Sequence, residues 1–270
     1  MAKPLPAAAV DRVAGRVREL LDSYEPPGFE EVPGPDAALF LTAIDHRTGY
    51  EHSHLVDGDG PHEGSALLWA LGLSAERRRP GLLSAEGLAE VEVETVSELF
   101  RAGGETVAGP ERRAALWRQA ASHLSDRYGG SSAELIAASE GRLAGADGLL
   151  SRLAELEAYR DPLQKKSFLV CKIWERRGWL TVSDPESWQV CADNVLMRLA
   201  LRSGLVGEGG VEEVRAATRR AWKQVAERAG VSPPLLDDLL WERGRDDADL
   251  VGAEAGDVCE PPRPEGTVFY

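Results

Sequence analysis

Apolar residues spaced three and four apart, in segments closed off by Pro and Gly, commit this chain to a helical fold. Val10, Val13, Val17, Leu20 and Leu21 share one face of a helix over residues 10–21, because 3.6 residues complete a turn and a single apolar stripe has to be buried. Helices favour Pro in the first turn and Gly just past the last, and Pro110–Tyr128 followed by Gly129-Gly130 carries both signals. Asp161-Pro162 and Asp184-Pro185 each pair an N-cap Asp with Pro at the first helical position. They predict helices over 161–177 and 185–203, the second with Glu186 as a first-turn acid. Further helices are expected over 64–73, 84–89, 92–102, 132–140, 144–159, 211–230 and 232–243.

The segment AALFLTAI, residues 37–44, is apolar almost throughout, and its period allows a buried helix or a strand. Residues 24–36 are rich in Pro and Gly and form an irregular connection, while residues 46–64 suggest a structured loop or short hairpin. No period of twenty to fifty residues recurs, so a solenoid is not supported. The expected architecture is mainly all-α: a single compact helical unit, or two lobes of about 1–105 and 106–270 with a cleft between them.

A chain of 270 residues can bury a large core without covalent staples. Cys171, Cys191 and Cys259 are scattered without CxxC spacing, so neither a zinc site nor a disulfide framework is indicated and a reducing cytoplasm is expected. The first residues lack an apolar core followed by a cleavage site, and no run approaches eighteen apolar residues, so export and membrane spanning are not expected. Asp and Glu number 45 against 31 Lys and Arg, giving a net charge of -14. Such a balance repels a long DNA duplex overall and favours a small substrate, although a local basic patch can work inside an acidic protein. Neither GxGxxG nor GxxxxGK[ST] occurs, and no cofactor is expected. Four of the five histidines, His46, His52, His54 and His62, fall in one loop. Without an HxxxH pattern they read as polar or pocket residues before they read as metal ligands.

Three segments carry candidate chemistry. In DPLQKKSFLVCKIWERRGW, residues 161–179, Lys165 and Lys172 lie seven apart and nearly eclipse on a helix among apolar neighbours. One reading leaves Lys165 and Lys166 solvated at the helix start with Lys172 snorkelling. The other holds Lys165 or Lys172 in a pocket as a nucleophile or anion contact. In VCADNVLMRLALRSGLV, residues 190–206, Asp193 stands in an apolar setting. It is either an N-cap or the partner of Arg198 or Arg202, or else a carboxylate that stabilises a cationic sugar. In SPPLLDDLLWERG, residues 232–244, Asp237 and Trp241 are one turn apart. A carboxylate and an indole so placed can meet a flat heterocycle together, and the plainer alternative is a core Trp beside a solvated acid.

Taken in order, GSALLW, TVSELFRAG, ERRAALW, RYGGS, QKKSFLV, CADNVL, LLDDLLW and the terminal VFY resemble the queuosine salvage family of queuosine 5′-phosphate N-glycosylases, relatives of the helix-hairpin-helix DNA glycosylases. The resemblance runs from about residue 37 to residue 270. It implies a DNA-glycosylase-like helical fold and an N-glycosidic bond hydrolase, with Asp193 catalytic, Lys165 on the family's basic helix, and Asp237 and Trp241 in base recognition. Where that family carries a stretch rich in Asn and Phe, this chain has AIDHRTGY, which brings Asp45 and His46 to the expected pocket beside Trp69. The chain is also similar to the archaeal 8-oxoguanine DNA glycosylase/lyase group in its two lysines seven apart, its downstream Asp and its Asp–Trp pair. That likeness implies Lys165 as Schiff-base nucleophile, Lys172 and Asp237 as base contacts and Trp241 as a stacking ring. RRGWLTVSDPES stands where the group has its hairpin. A third alternative is a non-catalytic helical module that binds a nucleoside.

Overall fold

A computed structural model of the chain describes residues 7–255 and 267–269. The described helices are α1 Ala7–Leu21, α2 Pro35–Ile44, α3 Gly64–Arg78, α4 Ala85–Leu88, α5 Val93–Leu99, α6 Pro110–Tyr128, α7 Ser132–Ala137, α8 Leu149–Leu153, α9 Lys165–Arg176, α10 Asn194–Arg202, α11 Val211–Ala229 and α12 Pro233–Gly244. Strands β1 His54–Val56 and β2 Asp59–His62 form one antiparallel hairpin, and β3 Arg101–Ala102 pairs with β4 Glu105–Thr106 in a second. The fold is therefore mainly all-α. No described helix is long and apolar enough to cross a membrane.

Two compact units divide the chain, one of residues 1–28 with 185–267 and the other of residues 29–184 with 268–270. A boundary near residue 105 does not appear. The physical reason is α6, which packs on α2, α4 and α5 before that point and on α7 after it.

In the first unit, α1 packs on α11 and α10 packs on α11 and α12. Val13 and Val17 of α1 join Leu199 of α10, Trp222 of α11 and Leu239 of α12 in its core, while Leu20 and Leu21 only lean against it. Trp222 donates its indole N–H to the Leu196 carbonyl at 3.0 Å, so its polar atom is satisfied inside the core.

The second unit is built round α2, every residue of which from Ala37 to Ile44 is buried. A helix buried on all sides has no polar face, which accounts for the unbroken apolar run. Its neighbours reach its backbone directly: Trp117 of α6 donates to the Phe40 carbonyl at 2.7 Å and Tyr159 to the Leu39 carbonyl at 2.6 Å.

Several sequence expectations are corrected. The helix expected over 144–159 is broken into α8 and a 3-10 turn at Glu157–Tyr159, and the one expected over 92–102 ends at Leu99. Asp184 does not start a helix over 185–203. Its carboxylate accepts the N–H groups of Leu143 and Ala144 at 2.7 and 3.0 Å, only a 3-10 turn follows at Pro185–Ser187, and α10 begins at Asn194. Cys171 and Cys191 are buried. Cys259, most of the acidic Pro-rich tail and Tyr270 lie outside the described residues. Thr267, Val268 and Phe269 are half-buried.

Candidate active site

In the second unit, the candidate site gathers where α2 ends. Asp45 closes α2, and its Oδ2 accepts from Ser65 Oγ at 2.8 Å and from Trp69 Nε1 at 3.1 Å, both on α3. His46 follows, buried like Asp45. Arg113, from the first turn of α6, is buried and donates to the carbonyls of Ala108, His46 and Arg47. Burial pushes its guanidinium down to about 10, with Asp45 and Tyr50 opposing. Lys166 of α9 is fully buried, its Nζ 2.6 Å from the Ala43 carbonyl and 3.2 Å from His46 Nδ1. Burial, then the charges of Lys166, Arg113, Lys165 and Arg112, hold the His46 imidazole far below its ordinary value. His46 is accordingly a neutral ring among cations.

The start of α9 sets where Lys165 stands. Asp161 does not cap a helix running from Pro162. Its Oδ1 accepts from the Leu163 N–H and its Oδ2 from the Lys165 N–H, both at 3.0 Å, so residues 161–164 form a turn and Lys165 becomes the first residue of the helix. Gln164 takes a left-handed conformation, φ 55°, which costs a non-glycine residue about 1 kcal/mol and is found chiefly where surrounding structure imposes it. Lys165 is half-buried, and among the described residues its ammonium has no hydrogen bond or ion pair. Lys172, two turns along, is buried. The second unit thus brings Asp45, His46, Trp69 and Lys165 into one neighbourhood.

In the first unit, Asp193 is the N-cap of α10, its Oδ1 accepting from the Leu196 N–H at 3.0 Å. The pairing with Arg198 or Arg202 is replaced: Arg198 donates to the carbonyls of Gly244 and Arg245, and Arg202 pairs with Asp249. Asp237 is buried, not solvated, and its Oδ1 accepts the Cys191 N–H at 2.6 Å. Asp193 and Asp237 therefore hold the two ends of one short segment. Trp241 is half-buried against the core, with the Arg245 guanidinium 5.2 Å from its ring centroid.

Sequence reasoning missed Ser65, Arg113 and Asp161, and offered Lys166 only as solvated. Lys166 lies with Val170 and Ile173 on the buried face of α9. His52 and His54 both approach Glu105, His52 by a short contact through Nδ1 and His54 with Nε2 at 3.8 Å. Among the described residues no group of three or more His, Cys, Asp or Glu side chains forms a metal site.

With this geometry in hand, the helical fold can be matched to known ones. The chain is similar in structure to an 8-oxoguanine DNA glycosylase from Pyrobaculum aerophilum, Pa-AGOG, whose crystal structure is a complex with 8-oxoguanosine. The TM-score is 0.51 at 16% identity, over 95% of this chain and 100% of that one. The fold is thus that of a DNA-glycosylase-like helical protein. No protein-family model matches the chain, and no curated protein matches its sequence.

Proposed function

We propose that this protein is an N-glycosylase that excises an oxidised purine of the 8-oxoguanine kind from DNA, with Lys165 as its nucleophile. The observation that carries the reading is the Lys165 amine, half-buried at the first residue of α9 with no partner among the described residues. Lys165 is fixed at its backbone by Asp161 and left open at its tip. The similarity of fold to an 8-oxoguanine DNA glycosylase supports the same reading.

In the proposed reaction the Lys165 amine attacks the sugar carbon that bears the base. The carbon–nitrogen bond to the base breaks, the base leaves with a proton, and the sugar ring opens to a Schiff base on Lys165. Lys172, Asp45, His46 and Trp69, all of the same unit as Lys165, contact the base.

A second reading, hydrolysis of a nucleoside 5′-monophosphate of the queuosine type with Asp193 positioning water, is favoured by the net charge of -14. One assay separates them. The protein is incubated in parallel with an 8-oxoguanine duplex and with queuosine 5′-monophosphate, and free base is measured. Release from the duplex, lost in Lys165→Gln, is the expected result. Release from the monophosphate alone transfers the assignment to the second reading, and binding without release from either leaves a nucleoside-binding module.

A further inference from the structure

Lys166 is the least expected group in the second unit: a lysine with no exposed surface, in contact with a neutral histidine. Placing an amine there costs desolvation, which is recovered only through specific bonds. Two are present, to the Ala43 carbonyl at 2.6 Å and to His46 Nδ1 at 3.2 Å. We infer that Lys166 is a positioning residue that donates to His46 Nδ1 and so fixes the ring proton on Nε2, making His46 a hydrogen-bond donor to an acceptor oxygen of the ligand.

The chain of reasoning is one of hydrogens. A neutral imidazole carries one N–H and one lone pair, and the bond made by one nitrogen decides the state of the other. An ammonium has only hydrogens to offer, so opposite it Nδ1 must be the lone pair. The reversed bond, Nδ1–H to Lys166, requires a neutral amine at Nζ. The net effect of its surroundings on Lys166 is toward the neutral amine, which can also donate to Nδ1, so the tautomer rests on the contact geometry and is what the nitrogen-15 spectrum reads. Burial and then Lys165 lower its amine well below the ordinary value, Asp45 opposes, Arg113 lowers it further and Asp161 opposes. Burial first, then Lys166, Arg113, Lys165 and Arg112, keep His46 from becoming an imidazolium. At the far side of the ring, His46 Nε2 has no hydrogen-bond partner among the described residues, and it is not among the enclosed, unsatisfied atoms. Asp45 beside it has Oδ2 committed to Ser65 and Trp69, while among the described residues Oδ1 makes no hydrogen bond. One exposed donor and one acceptor on consecutive residues suit a ligand that presents an oxygen next to an N–H. A purine carbonyl and a phosphate both supply the oxygen.

The tautomer does not depend on the glycosylase reading, whereas the identity of the oxygen does. Nitrogen-15 NMR of imidazole-labelled protein reads the protonation of each ring nitrogen directly, with His46→Gln assigning the signal. A protonated Nε2 with a bare Nδ1 is expected in the wild type and in Lys166→Arg, and Lys166→Met is expected to lose the single tautomer. A proton on Nδ1 in the wild type overturns the inference, as does an unchanged His46 signal in a folded Lys166→Met. If Lys166→Met does not fold, the wild-type spectrum still decides. Titration with 8-oxoguanosine and separately with inorganic phosphate then identifies the oxygen: a shift of Nε2 with the nucleoside assigns a carbonyl, and a shift with phosphate alone assigns a phosphate. No shift with either removes the ligand role. A correct tautomer without base release from an 8-oxoguanine duplex refutes the function and leaves Lys166 in place.

Discussion

Replacing Asp161 with Ala tests whether the turn before α9 is what places Lys165. The carboxylate accepts the N–H groups of Leu163 and Lys165, each at 3.0 Å, and Asp161 itself is only 3% exposed. Removing a capping acceptor costs about 0.5–2 kcal/mol, and an unsatisfied donor about 1–3 kcal/mol. Leu163 and Lys165 are half-buried, so water reaches them in part and the lower end applies to each, for a total of about 2 kcal/mol. At about 2–4 °C per kcal/mol for a unit of this size, the thermal midpoint should fall by about 4–8 °C. Asp161→Asn keeps one acceptor oxygen and should lose about half as much. Differential scanning calorimetry supplies the midpoints, and single-turnover base release supplies the functional arm. About 1 kcal/mol of lost order at Lys165 slows the reaction roughly fivefold. Midpoints within about 1 °C of wild type for both variants would refute the role given to the turn.

Gly244→Ala should destabilise the first unit by about 1–3 kcal/mol through overpacking, because its Cβ would stand 2.5 Å from Leu199 Cδ1 and 3.2 Å from Val195 Cγ1; a urea midpoint equal to wild type contradicts this. Asp237→Ala leaves the buried Cys191 N–H without its acceptor and should cost about 1–3 kcal/mol in the same assay. The His52–Glu105 contact has a pH window. Glu105, by a side-chain hydrogen bond and then by charge, raises the His52 value from 6.5, while the hydrogen bond from His52 and then the Glu51 N–H lower the Glu105 value from 4.5. The histidine contribution is complete below 6.5 and is lost as pH rises through the raised value, and the Glu105 contribution is complete above 4.5 and is lost as pH falls through the lowered one. The thermal midpoint difference between wild type and His52→Gln should therefore be largest between these two values and shrink on either side; a difference independent of pH rules the contact out.

The sequence made α6 legible to the residue, because Pro110 and Gly129 mark its two ends with opposite backbone requirements: a fixed φ at the start, and a left-handed turn, φ 57°, at the finish. Asp161-Pro162 and Asp184-Pro185 misled because Asp followed by Pro opens a β-turn as readily as a helix, and only tertiary partners decide. Asp184 finds Leu143 and Ala144, forty residues away in sequence. The second hairpin was missed, although Gly103-Gly104 supplies both positive φ angles, 55° and 92°, that a two-residue turn demands. Residue type and setting left Lys165 equally readable as a solvated lysine and Asp193 as an N-cap, and only the family resemblance raised both as site candidates. Lys166 could not be separated from a solvated lysine until α2 was known to be the helix it packs against, because the cost of burying it is met by a carbonyl 123 residues away.

The central claim is a lysine nucleophile, and borohydride trapping on an 8-oxoguanine duplex addresses it most directly. The account predicts a covalent protein–DNA adduct whose proteolytic mapping places the linkage on Lys165, absent from Lys165→Gln and retained by Lys166→Arg. An adduct mapped to Lys172 or any other lysine, or base release with no adduct at all, contradicts it.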